Sequence, residues 1–75
     1  MFLYLPVEES LFSPVIGNYC SFGIRVVSIN SDTVEDIDFI SDVSVSKHLV
    51  FSLSLTFTLE QLDPVHLLNV IEDSL

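Results

Sequence analysis

The C-terminal segment Leu62 to Leu75 constrains the fold most, because it is the clearest helix in the sequence. Asp63 is a suitable N-cap, since its carboxylate can accept from the free N–H groups of a first helical turn. Pro64 then occupies the first helical position, where a missing N–H costs nothing. The apolar residues that follow share one side of such a helix: Val65, Leu67, Leu68, Val70, Ile71 and Leu75. A helix this short is marginal alone in water, so we predict that this side packs on the rest of the chain.

The size of the chain limits what can stabilise it. We expect the 75 residues to form one domain, residues 1–75. A core of this size rarely supplies more than about 3–5 kcal/mol, and small domains usually add a disulfide, a metal or a partner. Cys20 is the only cysteine, and no Cys/His cluster offers a metal site. Because 49% of the residues are hydrophobic and only 17% charged, we predict a homo-oligomer.

The charge of the chain is strongly one-sided. Eleven carboxylates stand against Arg25 and Lys47, which gives a net charge of −9. Such a chain lacks the cations that direct nucleic-acid binding requires, and it is repelled by an anionic membrane surface. The charge would steer the protein toward basic surfaces, or it would simply keep an apolar small protein soluble. Both interpretations stay open.

The sequence also indicates a compartment. No basic region precedes the apolar residues at Met1–Pro6, so no secretory signal is predicted. The uncharged run Leu49–Leu59 is too short to cross a bilayer. Because a lone Cys20 fits a reducing environment, we expect a cytoplasmic protein.

The N-terminal half carries strand patterns. Phe2–Val7 is rich in strand formers, Glu8-Glu9-Ser10 interrupts it, and Pro14–Asn18 is typical of a loop. Between the strand patterns on either side of it, the Asn30-Ser31-Asp32 segment supplies turn chemistry. We therefore predict a hairpin over about residues 21–40.

Two residues of the predicted hairpin have specific expected roles. Arg25 faces a strand loaded with carboxylates, which favours a cross-strand ion pair. Gly23 lies within a strand pattern and indicates a bulge or a close backbone approach.

The segment 45–62 has two interpretations. Its apolar residues alternate with Ser, Thr and other residues from Leu49 to Leu59, which by periodicity is a strand. In a helix the same residues form i, i+4 rows on two sides, and Ser46 would be the N-cap. The residues alone leave both interpretations open.

Four segments together resemble a family of short bacterial proteins of unknown function: Phe22-Gly23-Ile24, Ile40–Ser44, Leu62–Leu67 and Val70–Leu75. In that family a Tyr-Gly-Ile segment lies on a strand, an Asp-Ile-Ser segment opens a helix, and a Pro-x-His-Leu…Val-Ile-Glu-Asp-x-Leu helix ends the chain. The resemblance covers roughly residues 19–75 and implies that 45–62 is a helix. We therefore predict an α+β fold in which a small antiparallel sheet is covered by two C-terminal helices, about 46–61 and 64–74. The alternative is that 49–59 is a further strand. This sequence lacks the Lys and Glu expected on that helix, which suggests that another chain covers its face. The family implies no activity.

The residues offer no catalytic or metal centre that we would predict. His66 follows Asp63 closely, but no nucleophile elbow or cysteine-enzyme signature surrounds a serine or Cys20. The acidic stretch 32–42 lacks the central Gly and the regular ligand spacing of a calcium loop. We therefore predict no enzyme, no cofactor and no metal.

The predicted function is that of a non-catalytic interaction module. Its partner would be a larger protein with a basic surface, and a phage-type inhibitor of a defence nuclease, acting by steric block or nucleic-acid mimicry, is compatible with the size and charge. The predicted partner-binding residues are Asp32, Glu35, Asp36, Asp38, Asp42, Glu72 and Asp73, and the predicted self-association residues are Phe51, Leu55 and Leu59. The alternative is a regulatory or structural homo-oligomer.

Overall fold

Three long strands form an antiparallel meander in the computed structural model, which describes residues 1–75. Strand β1 spans Phe2–Ser13, β2 spans Gly17–Ile29 and β3 spans Val34–Ser44, in the order β1-β2-β3. Both neighbouring pairs are antiparallel. The predicted hairpin over about 21–40 is confirmed, and its two strands extend further at both ends.

Strand β1 is longer than its sequence pattern indicates. The expected interruption at Glu8–Ser10 is wrong, because these residues continue the ladder opposite Phe22, Ser21 and Cys20. The turn that follows is also tighter than the predicted loop. The Ser13 hydroxyl accepts a hydrogen bond from the N–H of Val15 at 3.2 Å, and Gly17 takes a φ of 81°.

A bulge in β3 lies opposite Gly23. Phe22 pairs with Ser44 and Ile24 with Ile40, so the three residues 41–43 stand against one glycine. A Cβ at Gly23 would lie 2.5 Å from the carbonyl oxygen of Ile40. Both expectations for Gly23, a bulge and a close backbone approach, are confirmed.

The disputed segment is a helix, and the strand alternative for 49–59 is wrong. Helix α1 spans Lys47–Glu60, close to the predicted 46–61, and begins three residues beyond Ser44. The hydroxyl of Ser46 caps it by accepting from the N–H of Leu49 at 3.3 Å. The buried residues are Val50, Ser54 and Phe57. Their i, i+4, i+7 spacing places them on one face of a helix, whereas a strand would divide them between two faces.

The C-terminal helix has a break in its first turn. A 3₁₀ turn spans Pro64–His66, and helix α2 spans Leu67–Ser74. Asp63 caps the 3₁₀ turn as predicted, since its carboxylate accepts from the N–H of Val65 at 3.1 Å. The predicted helix 64–74 is therefore two pieces. Of the apolar side chains predicted to pack, Leu67 and Ile71 are buried and Val70 is half-buried, whereas Val65, Leu68 and Leu75 are exposed.

Both helices contribute to one core on one face of the sheet. The core comprises Tyr4, Ile24, Val26, Val43, Val50, Phe57, Leu67 and Ile71. The rings of Tyr4 and Phe57 meet edge-to-face with their centroids 5.6 Å apart. The hydroxyl of Tyr4 also donates to the carbonyl oxygen of Leu62, which ties β1 to the segment between the helices.

The opposite face of the sheet has no helix over it. Leu3, Leu5 and Val7 alternate with the core residues of β1 and therefore lie on this open face. Arg25 lies across it with its guanidinium 5.0 Å from the centre of the Phe39 ring. Such a stacked arginine covers apolar surface that a helix would otherwise have to bury.

Candidate interaction site

The turn before β3 and the strand itself carry a concentration of carboxylates. Asp32, Glu35, Asp36 and Asp38 are all exposed, and we call these four residues the acidic edge. β3 is one of the two outer strands of the sheet, so its outer edge is not paired with another strand. No Lys or Arg occurs among residues 26–46. All four carboxylates are solvent-exposed, and their role in partner binding stays a prediction.

The carboxylates of the acidic edge point to both sides of the sheet. Asp36 lies opposite Val27 and reaches the open face, where its carboxylate stands 3.7 Å from the guanidinium of Arg25. This is the predicted cross-strand ion pair. Asp38 lies opposite Val26, on the core side, and accepts a hydrogen bond from the N–H of Phe39 at 2.8 Å. Because the register shifts between Val26 and Val27, Asp36 and Asp38 lie on opposite faces of the sheet at the same edge.

Asp42 has a structural environment that differs from the rest of the predicted acidic surface. It adopts a left-handed φ of 53° within the β3 bulge. Its carboxylate accepts hydrogen bonds from the hydroxyls of Tyr19, at 2.8 Å, and Ser21. The hydrogen bonds from Ser21 and Tyr19 lower the pKa of Asp42 below its ordinary value, and the bond to Asp42 raises the pKa of Tyr19. Asp42 thus fastens β2 to the bulge.

Glu9 completes this polar cluster from the first strand. Its carboxylate accepts from the hydroxyl of Ser41 at 2.9 Å and from the N–H of Asp42 at 2.8 Å. Sequence reasoning missed Glu9, Tyr19 and Ser21. The only signal for this cluster in the sequence was Gly23. A glycine that marks a bulge also implies that nearby backbone groups lose their ladder partners and need other hydrogen-bond partners.

Glu72 and Asp73, the remaining predicted partner-binding residues, lie on a different element. Both are exposed on α2, away from the ladder that organises the acidic edge. The sequence prediction therefore grouped carboxylates of two different elements, β3 with the turn before it and α2.

An apolar stripe runs along the outside of α1. Phe51, Leu55 and Leu59 follow at i, i+4, i+8 and expose 46%, 61% and 74% of their surface, and we call them the α1 stripe. Between Lys47 and Glu60 the helix contains no Asp, Glu, Lys or Arg. The residues predicted for self-association are therefore solvent-exposed and contiguous on one helix.

The charges at the ends of α1 oppose its own dipole. Lys47 lies in the first turn, where the helix is already positive, and Glu60 is the last residue, where it is negative. The first turn has no acidic residue and the last turn no basic one. Both charges are unfavourable for the helix dipole, although the ammonium of Lys47 lies 5.4 Å from the centre of the Phe51 ring on the same helix.

The tip of the β1–β2 hairpin is a second exposed apolar group, which sequence reasoning missed. Phe12, Val15 and Ile16 expose 70%, 90% and 67% of their surface. The turn pattern around Pro14 and Gly17 predicted a loop, and loops are ordinarily polar, so these side chains gave no separate signal.

The remaining chemically active side chains are scattered. Cys20, His48 and His66 are all exposed. The ring of His66 makes no hydrogen bond within the chain; its backbone N–H bonds to the carbonyl oxygen of Asp63 at 3.0 Å. No three metal-binding side chains cluster, and the surface has no pocket. None of the helices combines the length and the apolar character needed to cross a membrane.

Comparison with known proteins gives one match. Neither the curated proteins nor the solved structures include a significant match to this chain. A family model described as a family of unknown function (DUF6514) matches residues 4–75, which is nearly the whole chain. The protein therefore belongs to this family of unknown function.

Proposed function

We propose that this protein is a non-catalytic interaction module that binds a larger partner with a basic surface. The observation that carries the proposal is the acidic edge, where exposed carboxylates crowd an outer strand and a single ion pair, between Arg25 and Asp36, offsets them. Like charges placed this closely repel one another, and a partner that supplies Lys and Arg relieves that repulsion. The same charges steer the encounter and make binding sensitive to salt.

The arrangement of the edge favours a groove as the binding surface of the partner. Carboxylates lie on both sides of β3, so a flat basic surface would reach only part of them, whereas a groove would meet both sides. Grooves lined by Lys and Arg are typical of enzymes that bind nucleic acid. The proposed action is that of an inhibitor, of the phage or anti-defence type, that occupies such a groove by steric block or nucleic-acid mimicry inside the cell.

A competition experiment tests this proposal. The protein would be immobilised and offered purified basic nucleic-acid-binding proteins at low salt, and bound protein would be challenged with duplex DNA. We expect DNA and increasing salt to release the bound protein. Binding that survives both treatments would contradict the proposal.

Matched variants separate the acidic edge from net charge. Glu35→Gln with Asp38→Asn removes two carboxylates from the edge, and Glu72→Gln with Asp73→Asn removes two from α2. Both pairs change the net charge from −9 to −7. We expect the edge pair to weaken binding about tenfold or more and the α2 pair to weaken it less. Equal losses would mean that the edge has no special role.

The second candidate function is a regulatory or structural homo-oligomer. The α1 stripe favours it, because this row of side chains stays exposed after the chain has formed its core. Measurement of mass against concentration tests this candidate, and the two functions are compatible because their surfaces lie on different elements.

A further inference from the structure

We infer that two copies of this chain pair edge to edge along the open half of β1, residues 7–13, in an antiparallel arrangement about a two-fold axis at Ser10. The pairing joins the two sheets into one of six strands, in the order β3-β2-β1-β1-β2-β3. The inference rests on the second candidate function, the homo-oligomer, and names its contact. It leaves the acidic edge free, because β3 is the opposite outer strand of the sheet.

The backbone of β1 shows which of its residues can pair with another strand. Phe2 bonds through both its N–H and its C=O group to the side-chain amide of Gln61. Tyr4 bonds in the same way to the hydroxyl of Thr58. Since the β1–β2 register has no shift, every second residue of β1 directs its backbone groups away from β2. Three residues of the open half therefore have outward N–H and C=O groups without a partner in the chain: Glu8, Ser10 and Phe12.

Two prolines bound these outward groups symmetrically. Pro6 and Pro14 each lie four residues from Ser10, and neither has an N–H. With the axis at Ser10, this residue pairs with its own copy, and Glu8 pairs with the partner's Phe12, twice by symmetry. These pairs form about six hydrogen bonds. The ladder ends where Pro6 meets the partner's Pro14, so it requires no N–H that the chain lacks.

The charges of the chain permit contact with a second copy at this edge. The net charge is −9, yet residues 10–24 contain no Asp, Glu, Lys or Arg. Glu8 and the partner's Glu8 lie about 13 Å apart along the strands, which exceeds the Debye length of about 8 Å at physiological salt. Glu9 turns its carboxylate away from the edge, across β2 to the β3 bulge.

Neighbouring registers are less favourable than an axis at Ser10. An axis at Glu9 would set two glutamates directly opposite each other, and like charges in that position are destabilising. An axis at Leu11 would set Glu8 against Pro14, which lies beyond the end of the strand and has no N–H. That register would lose about two of the hydrogen bonds.

The outer side of α1 lies along the same edge. Thr58 marks that side, because its hydroxyl bonds to outward backbone groups of β1. At about 3.6 residues per turn, Phe51 and Leu55 lie within about 20° and 60° of Thr58 around the helix. The ring of Phe51 also meets that of Phe22, the ladder partner of Glu8, with the centroids 6.3 Å apart. These exposed apolar side chains therefore flank β1 on its outer side, up to the level of Glu8.

The partner's arm carries its apolar tip to this side of α1. Because the partner's Pro14 lies opposite Pro6, its hairpin tip continues along the stretch of edge that α1 flanks. Phe12 alternates in step with Tyr4, so it lies on the helix-covered side of the joined sheet. The exposed tip side chains of one copy thereby meet the exposed side chains of the other copy's α1, twice by symmetry. The chain supplies both halves of the contact, which identifies the occupant as a second copy.

The expected dimer is concentration-dependent. A paired strand of about 23 Å and one hairpin tip per copy offer less than the roughly 800 Å² per partner of a standard interface. We therefore expect a dissociation constant in the range of about 10 µM to 1 mM, measured by sedimentation equilibrium of the full chain. A chain that stays monomeric throughout that range overturns the inference and leaves this edge to the strand of a different protein.

Proline on the axis tests the edge. Ser10→Pro removes an N–H that points away from β2, so the β1–β2 ladder keeps its hydrogen bonds, and we expect the dimer to weaken about a hundredfold or more. Cys20→Pro is the matched control, because Cys20 lies directly opposite Ser10 and its N–H points to the other edge of the hairpin. We expect it to change the dissociation constant by less than about threefold. An equal effect of both variants, or none from Ser10→Pro, overturns the inference. Circular dichroism of each variant establishes that it is folded.

Single cysteines test the register. In a Cys20→Ser background, Ser10→Cys places two thiols across the axis with about 5.5 Å between Cα atoms, a separation that a disulfide spans. Glu8→Cys places them about 13 Å apart. With oxidised glutathione we expect Ser10→Cys to form a covalent dimer, Glu8→Cys alone to form none, and a mixture of Glu8→Cys and Phe12→Cys to form the mixed dimer. Equally rapid cross-linking of Glu8→Cys alone and Ser10→Cys would refute the axis at Ser10.

The dimer and the proposed binding of a basic partner can fail separately. Glu35→Gln with Asp38→Asn removes carboxylates from β3, so it should weaken capture of basic proteins without weakening the dimer. Ser10→Pro should weaken the dimer without weakening that capture. A dimer that the β3 pair disrupts and Ser10→Pro does not would overturn the inference. An intact dimer that captures no basic protein would instead contradict the proposed function alone.

Discussion

At the scale of single residues, side-chain hydrogen bonds replace the backbone pairing that is missing at the β3 bulge. Asp42 holds the β3 bulge because its carboxylate accepts from two hydroxyls of β2 while its backbone stays left-handed. Few residues other than Gly, Asn and Asp tolerate that backbone. The acid that sequence reasoning assigned to a partner is thus also a structural residue of the sheet.

The lowered pKa of Asp42 predicts a pH dependence of stability. Because the folded state resists protonation of Asp42, the contribution of this residue is present above its ordinary pKa of 3.8 and declines as the pH falls toward the lower folded value. Asp42→Asn keeps the backbone conformation and one acceptor but loses the charge. We expect wild type to be more stable than Asp42→Asn at about pH 6 and the difference to shrink by about pH 3.

Urea unfolding of both proteins across this pH range measures that difference. Comparing the two proteins cancels the titration of the other carboxylates, which both share. A difference that grows as the pH falls would contradict the assigned role of Asp42.

Ser54 carries a second residue-scale prediction. Its side chain is 2% exposed between α1 and the sheet, and its hydroxyl has no hydrogen-bond partner. Ser54→Ala removes a desolvated polar group and adds a better helix former, so we expect the free energy of unfolding to rise by about 1 kcal/mol. Ser52→Ala, at an exposed site of the same helix, isolates the helix-propensity part in the same denaturant titration. A loss of stability in Ser54→Ala would mean that the hydroxyl is satisfied in solution.

At the scale of elements, the end of α1 substitutes for a fourth strand. The side-chain amide of Gln61 accepts from the N–H of Phe2 and donates to its carbonyl oxygen, both at 2.8 Å, as the backbone of a neighbouring strand would. The hydroxyl of Thr58 accepts from the N–H of Tyr4 at 2.9 Å. Pro6 is the next residue of β1 whose backbone faces away from β2, and it has no N–H to pair. The first half of this outer strand is therefore closed to strand addition.

Replacement of Gln61 should open that edge. Gln61→Ala removes the amide and both of its hydrogen bonds to the backbone of Phe2, so we expect a loss of about 1–3 kcal/mol. Gln61→Glu keeps the length and an acceptor but loses the donors. Both variants should aggregate faster than wild type on mild heating, as followed by light scattering. Variants as resistant as wild type would show that the Gln61 contacts do not protect the edge.

The sequence predicted elements better where local chemistry decides them. Caps at Ser46 and Asp63 and the bulge at Gly23 have local causes, and all three are confirmed. The full length of β1 was not predictable, because Glu8–Ser10 has poor strand propensity and is held by β2 and, through Glu9, by the bulge in β3. The period-2 pattern of 49–59 indicated a strand, yet the predicted helix is confirmed, because packing on the sheet outweighs local periodicity.

At the scale of the whole molecule, the helices cover only part of the sheet. The protein is elongated, 45 × 24 × 19 Å, and β3 pairs with β2 only from Phe22 onward. Residues 10–20 therefore form a two-stranded arm beyond the core, with an exposed apolar tip. An isolated two-stranded hairpin is marginally stable in water, so the arm depends on its attachment at the β3 bulge.

This dependence predicts graded protection from hydrogen exchange. The N–H groups of Leu11 and Tyr19, in the arm, should exchange at least about a hundredfold faster than those of Leu3 and Val27, which the same ladder pairs beside the core. Tyr19→Phe removes the hydroxyl that bonds to Asp42 and should accelerate exchange of the arm further, while Leu3 and Val27 keep their rates. Amide exchange followed by NMR measures all of these rates in one experiment. Uniform rates along β1 and β2 would mean that the arm and the core unfold as one unit.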